Sequence, residues 1–171
     1  MRNLYIGLFF MALSLASAQD TKSILLKQLK STHTDKDWFV PVNVAVEGLT
    51  ADQANWKDGS GNHSVAQLTY HLIFWNEREL KKFKGETLDT FSGNNEETFD
   101  KATKQDWLNM VKKIDEVMKG WEQAIASAEE KKLKDVYGTI ANISTHNAYH
   151  TGQIVFVRKL QGVWNAEKGV K

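Results

Sequence analysis

Two histidines four residues apart, His146 and His150, stand in the run NISTHNAYHTGQ from Asn142 to Gln153. On a helix, positions i and i+4 share a face, so this pair can present two imidazoles to one ion. A third histidine, His71, lies far upstream in another helical segment and reads as their partner. Three neutral imidazoles converging inside a helix bundle make an open divalent-metal site, with the remaining positions left to water or substrate, as in catalytic zinc sites. Imidazole suits zinc and nickel, and also copper and iron; one zinc or nickel ion is the expectation. The pattern alone leaves a second reading open, in which these histidines are hydrogen-bonded core residues.

Their surroundings argue that they face inward. With His146 at zero, His150 falls about 40° away, and Val157, Ile143 and Ile154 fall about 20°, 60° and 80° round on the same side. Polar groups on such a stripe must be hydrogen-bonded or ligate something, because an unpaired buried one costs about 1–3 kcal/mol. Asn142, one turn before His146, points toward the same space and could bond a ligand's second nitrogen or a substrate. His71 lies at the edge of its own apolar face, between Leu68 and Trp75. Trp75 and Trp38 are candidates to line a pocket, although both would serve equally as core. Asn147 stands where the HExxH metalloproteases carry their general base, which excludes that mechanism. A base would have to come from elsewhere, for instance Glu77 or Glu79, both most simply read as surface charges. His33 could approach the site, and His63, just before a helix cap, is expected on the surface.

The elements that must position these groups read as four helices. A single proline, Pro41, in 171 residues already leans toward helix. The first helix is expected from about Thr21 to Val46, with Ile24, Leu25, Leu29, Trp38, Phe39, Val42 and Val46 facing the core. Pro41 lacks an amide donor and should kink or break it. Glu47 to Asn62 is a polar connection. Ser64 with Gln67 three residues on forms a capping box, opening a second helix that carries Val65, Leu68, Leu72, Trp75 and Phe83 and ends at Gly85. Thr87 to Thr103 is a long surface connection. A third helix, about Lys104 to Glu130, has one clear apolar stripe from Trp107 to Ala128. A fourth runs from about Val136 to Leu160, with Gly162 as its stop. The expected fold is one all-α domain, a four-helix bundle.

The N-terminus reads differently. Arg2, the apolar run Leu4 to Leu15 and the small residues Ala16-Ser17-Ala18 form a cleavable signal peptide over residues 1–18. The apolar run is well short of the roughly 20 residues that a spanning helix needs. The mature chain, residues 19–171, is therefore expected to be exported, to a periplasmic or secreted location, with no membrane association after cleavage. The absence of cysteine rules out disulfides and a lipoprotein anchor. With Arg2 removed, the 22 basic residues become 21, against 21 acidic ones. That balance offers no electrostatic footprint for nucleic acid or an anionic membrane. An unidentified small molecule is the expected partner.

Two segments resemble the DinB-like (DinB/YfiT) superfamily of four-helix metalloenzymes. In SVAQLTYHLIFWNERELKKF a small polar cap opens an amphipathic helix with one histidine about seven residues in. HNAYHTGQIVFVRK is similar to the family's H-x-x-x-H followed by Gly-Gln and an apolar-basic tail. GLTADQANWK, from Gly48, looks like the family's link between the first two helices. The resemblance implies a three-histidine divalent-metal site, carried here onto His71, His146 and His150. It also implies a bundle whose helix order can depart from simple up-and-down neighbours, and a tendency to form homodimers. Relatives are described as thiol-dependent S-transferases or isomerases, or as metal-dependent hydrolases. Three functions follow: an exported metal-dependent hydrolase, a thiol-dependent S-transferase-like enzyme, or a non-catalytic bundle in which the metal is structural or absent.

Overall fold

A computed structural model describes residues 21–99, 103 and 105–170. The expected signal peptide lies outside them. Among the described residues every regular element is helical. The chain forms α1 over 21–33, α2 Val42–Val46, α3 Ala51–Asn55, α4 Val65–Phe83, α5 Trp107–Ser127, α6 Glu130–Lys134 and α7 Tyr137–Leu160. Short 3-10 turns sit at Asn95–Thr98 and Ala166–Lys168. The long helices α1, α4, α5 and α7 are the four of the bundle. No helix among the described residues is long and apolar enough to cross a membrane.

The local reasons are legible in the chain. The Ser64 hydroxyl accepts from Gln67 N–H at 3.2 Å while Ser64 N–H donates to Gln67 Oε1 at 3.0 Å, the expected capping box of α4. A second box, Thr50 with Gln53, opens α3 inside what reads as a polar connection. At the other end of α4, Gly85 takes φ +90 and Glu86 N–H bonds back to Lys81 O at 3.0 Å, closing the helix in the left-handed conformation glycine tolerates.

The first helix is two pieces, the break that Pro41 leads one to expect. α1 stops at residue 33, and Pro41, at φ −72 and ψ 159, caps α2 instead of sitting inside a helix. The intervening stretch is irregular, so no helical register turns Trp38 inward. Trp38 is 91% exposed and does not line the cavity beside the histidines, which corrects its assignment to core or pocket. Ile24, also expected in the core, is on the outer face of α1 and half exposed.

Two apolar clusters fill the bundle. One joins α2, α3 and Phe99 to the first half of α4, the first half of α5 and the end of α7. The other joins Leu25 and Leu29 of α1 to Leu80, Trp121, Leu133, Ile140 and Ile143. α4 meets the start of α7 through Leu80 and its end through Leu68 and Leu72, so the two helices run antiparallel. Mid-way along them lies a polar tie. Asn76 Nδ2 donates to Asn147 Oδ1 at 2.7 Å and Asn147 Nδ2 returns a bond to Asn76 Oδ1 at 3.1 Å, both side chains buried. Trp121 Nε1 adds a bond to the Asn76 carbonyl at 3.1 Å. Near the end of α7, the buried Arg158 guanidinium donates to Ala45 O at 2.6 Å and Glu47 O at 3.1 Å, satisfying carbonyls at the C-terminus of α2.

Candidate metal centre

The polar tie sets the register that brings His71 on α4 opposite His146 and His150 on α7. One ring nitrogen of each histidine lies within 4.8 Å of the others. His71 and His150 are buried and His146 is half-buried. The buried face of α7 is centred on Asn147, with Ile143, His150 and Ile154 around it, so His146 stands at its edge rather than in its middle.

Hydrogen bonds to the outer nitrogens decide which ring atoms are free. Thr98 Oγ1 donates to Asn95 O at 2.6 Å, so toward His71 Nδ1, 2.5 Å away, its oxygen can only accept. His71 therefore carries its proton on Nδ1, and its Nε2 lone pair faces His146 Nε2 at 3.1 Å. His150 Nδ1 donates to Gln153 Oε1 at 2.6 Å, while the Gln153 amide nitrogen faces the Tyr149 hydroxyl. That leaves His150 Nε2 unprotonated as well. Partners of this kind, holding the far nitrogen of a ligand imidazole, fix tautomer and ring orientation at metal sites.

Electrostatics points the same way. Burial first, and then the neighbouring imidazoles His150, His146 and His63, pull the His71 pKa down to about 3. Burial and His150 pull His146 down to about 4. Burial lowers His150 too, against the opposing pull of its bond to Gln153. All three rings are neutral near pH 7, the form that ligates. Tetrahedral donors on a zinc at about 2.0–2.1 Å stand roughly 3.3 Å apart, close to the His71–His146 spacing. The residues present fit a divalent transition metal.

The connection between α4 and α5, expected as a plain surface loop, enters the site. Thr98 and Phe99 are both buried. The Phe99 ring lies parallel between two imidazoles, 4.0 Å from His71 and 3.8 Å from His63. His63, expected on the surface, is thereby drawn into the wall of the site. His33 goes elsewhere: its two nitrogens meet Glu122 at 2.7 Å and Asp115 at 3.0 Å on α5.

A cavity of about 710 Å³ opens beside the three imidazoles. Trp75 and Asn142 line it as expected, together with Asn76, Glu79, Glu96 and Tyr149. Of the two acids on α4 considered as a base, Glu79 reaches this cavity, whereas Glu77 pairs with Lys113 at 2.9 Å on another side of the helix. The second nitrogens are held by Thr98 and Gln153, not by Asn142, which is exposed at the cavity rim. Gln153 could have been found from the sequence, one turn past His150; Thr98, which lies 27 residues from its histidine, carried no such signal.

A family model for the DinB superfamily matches residues 42–155. The chain belongs to the DinB superfamily. The matched span includes all three histidines and both partners of their outer nitrogens, so the centre lies wholly within the part of the chain that carries the DinB pattern. α1 precedes the matched span, and Arg158 follows it. No curated protein and no solved structure matches the chain.

Proposed function

We propose that this DinB-superfamily protein is a metal-dependent hydrolase of small molecules, holding one zinc or nickel ion through His71, His146 and His150. The observation that carries the reading is the pair of hydrogen bonds that His71 Nδ1 and His150 Nδ1 donate to Thr98 and Gln153, which leave the Nε2 atoms of His71 and His150 unprotonated beside His146. A divalent ion there supplies Lewis acidity, polarising a substrate oxygen or lowering the pKa of water toward about 7.

The chain's own residues do the rest. Three protein donors are one fewer than a closed structural zinc site uses, and the cavity beside them leaves room for a ligand. This favours a reactive centre over a metal that merely staples helices. Trp75 and Phe99 give the chamber apolar surfaces, and Asn142 offers a carboxamide at its rim. Glu79 and Glu96 put two carboxylates in the same cavity, on the substrate side of the imidazoles. Export of the mature chain from residue 19 onward belongs to the same proposal.

Elemental analysis of residues 19–171, beside the His146→Ala/His150→Ala variant, tests the centre. We expect about one transition-metal ion per chain, lost in the variant. An absence of metal in both, after incubation with zinc, nickel, manganese and iron, would make the histidines core polar residues. With metal established, turnover of ester, amide and lactone panels that disappears in His71→Ala tests the hydrolase assignment.

A further inference from the structure

The cavity beside the imidazoles is uneven in charge. Among the described residues Glu79 and Glu96 line it, and no lysine or arginine does. One wall comes from α4, where His71, Trp75 and Glu79 follow one another at i, i+4 and i+8. Along the helix axis Trp75 stands about 6 Å and Glu79 about 12 Å beyond His71. Trp75 is braced edge-on by Phe74 at 5.1 Å and Phe91 at 5.5 Å between ring centroids. An aromatic surface with a carboxylate one turn further on is a pairing that attracts an ammonium group, by cation–π attraction and by charge. Across the groove, α7 contributes Thr139 and Asn142, neutral groups that do not offset the carboxylates. Lys82 engages Glu79 through Oε1 at 2.6 Å, but Lys82 lies outside the cavity lining. A solvent-exposed pair of this kind is weak enough for a ligand ammonium to replace it.

We propose that the ligand of this site is an organic cation, a small molecule whose protonated amine rests against Trp75 and Glu79 while its other end meets the three imidazoles. The inference rests on the metal-centre reading and adds the substrate's charge and the direction in which it lies. It also disfavours anionic co-substrates, including acidic thiols, because their carboxylates would face Glu79 and Glu96.

Three hydroxamic acids with six-carbon tails, ending in ammonium, in carboxylate or in methyl, separate the two levels. The hydroxamate head reports the metal and the tail reports the groove. Titrated into the nickel- or zinc-loaded chain, the methyl-ended compound should bind and lose that binding when the metal is stripped. The ammonium-ended compound should bind roughly tenfold tighter than the carboxylate-ended one, the scale expected when a solvent-exposed attraction is exchanged for repulsion. Glu79→Gln should bring the two within about threefold of each other without changing the affinity of the methyl-ended compound. Equal or tighter binding of the carboxylate-ended compound, with methyl-ended binding intact, would overturn the organic-cation inference alone. Metal-independent or absent binding of the methyl-ended compound would overturn the metal reading and this inference with it.

Discussion

Replacing Thr98 with valine tests whether the loop before α5 governs the metal centre. Valine keeps the shape of the buried side chain but removes the oxygen that accepts from His71 Nδ1–H at 2.5 Å. His71 is then free to change tautomer or rotate, and its inner lone pair is no longer held toward His146. Losing an outer partner of a ligating histidine weakens metal binding about 10–100-fold, or about 1.4–2.7 kcal/mol. In the chelator-treated protein the same change strands a buried N–H, at about 1–3 kcal/mol. For a chain of this size that lowers the melting temperature by about 2–12 °C. Thr98→Ser retains the oxygen and should recover affinity to within about threefold of the wild type. The assay is competition against a chromophoric chelator near neutral pH, with a thermal melt of each variant alongside. If Thr98→Val binds metal within a factor of two of the wild type, or if Thr98→Ser is as impaired as Thr98→Val, the outer hydrogen bond does not orient His71 and the reasoning fails.

Asn147→Ala should lower the melting temperature by about 4–12 °C, since it strands the buried Asn76 Oδ1 at about 2–3 kcal/mol and opens a small cavity; a drop under 2 °C by calorimetry would contradict the polar tie. Trp38→Ala should leave both stability and metal content unchanged, because that side chain is 91% exposed; a loss of metal would return Trp38 to the site. Acidification should destabilise the chelator-treated chain. His71 and His146 titrate at about 3 and about 4 when folded but near 6.5 when unfolded, so the unfolded chain takes up protons first. Stability is then full above about pH 6.5 and falls toward pH 4, and a His71→Gln/His146→Gln variant should show a shallower slope; an unchanged slope would refute the assignment. Because the same two nitrogens resist protonation in the folded chain, metal binding should persist below pH 6.5 rather than fade there. Mass spectrometry of the protein purified from its native host should find Gln19 as the first residue; retention of Met1 would remove the signal-peptide reading.

Much of the frame was legible because it rests on short-range rules. Ser64 and Gln67 announce the start of α4, glycines at 85 and 162 announce stops, and the apolar stripe of α5 needs only a 3.6-residue period. The HNAYH spacing is enough to put two of the three clustered imidazoles on one helix without any tertiary knowledge. What stayed hidden depends on contacts between distant segments. Thr98 and Phe99 sit in a polar-looking loop whose composition resembles any surface connection, and only folding reveals that they reach His71. His63 looked exposed for the same reason, since its stacking partner lies 36 residues downstream. Asn147 was informative in the sequence only for the glutamate it replaces, whereas in the fold it holds α7 to α4. Trp38 misled because its hydrophobicity suggested burial while the chain around it abandons the helix before Pro41.

The concentration of functions on α7 bears on the order in which the molecule can be completed. That one segment brings two of the three imidazoles, half of the amide tie and the Arg158 clasp on α2. A nascent chain that has emerged only as far as Leu133 lacks the α7 side of both apolar clusters and has no cap for the carbonyls of α2. Closure must therefore wait for α7, so that synthesis of the preceding helices runs ahead of assembly. A protein built this way stays unfinished, and without its centre, for as long as α7 is withheld.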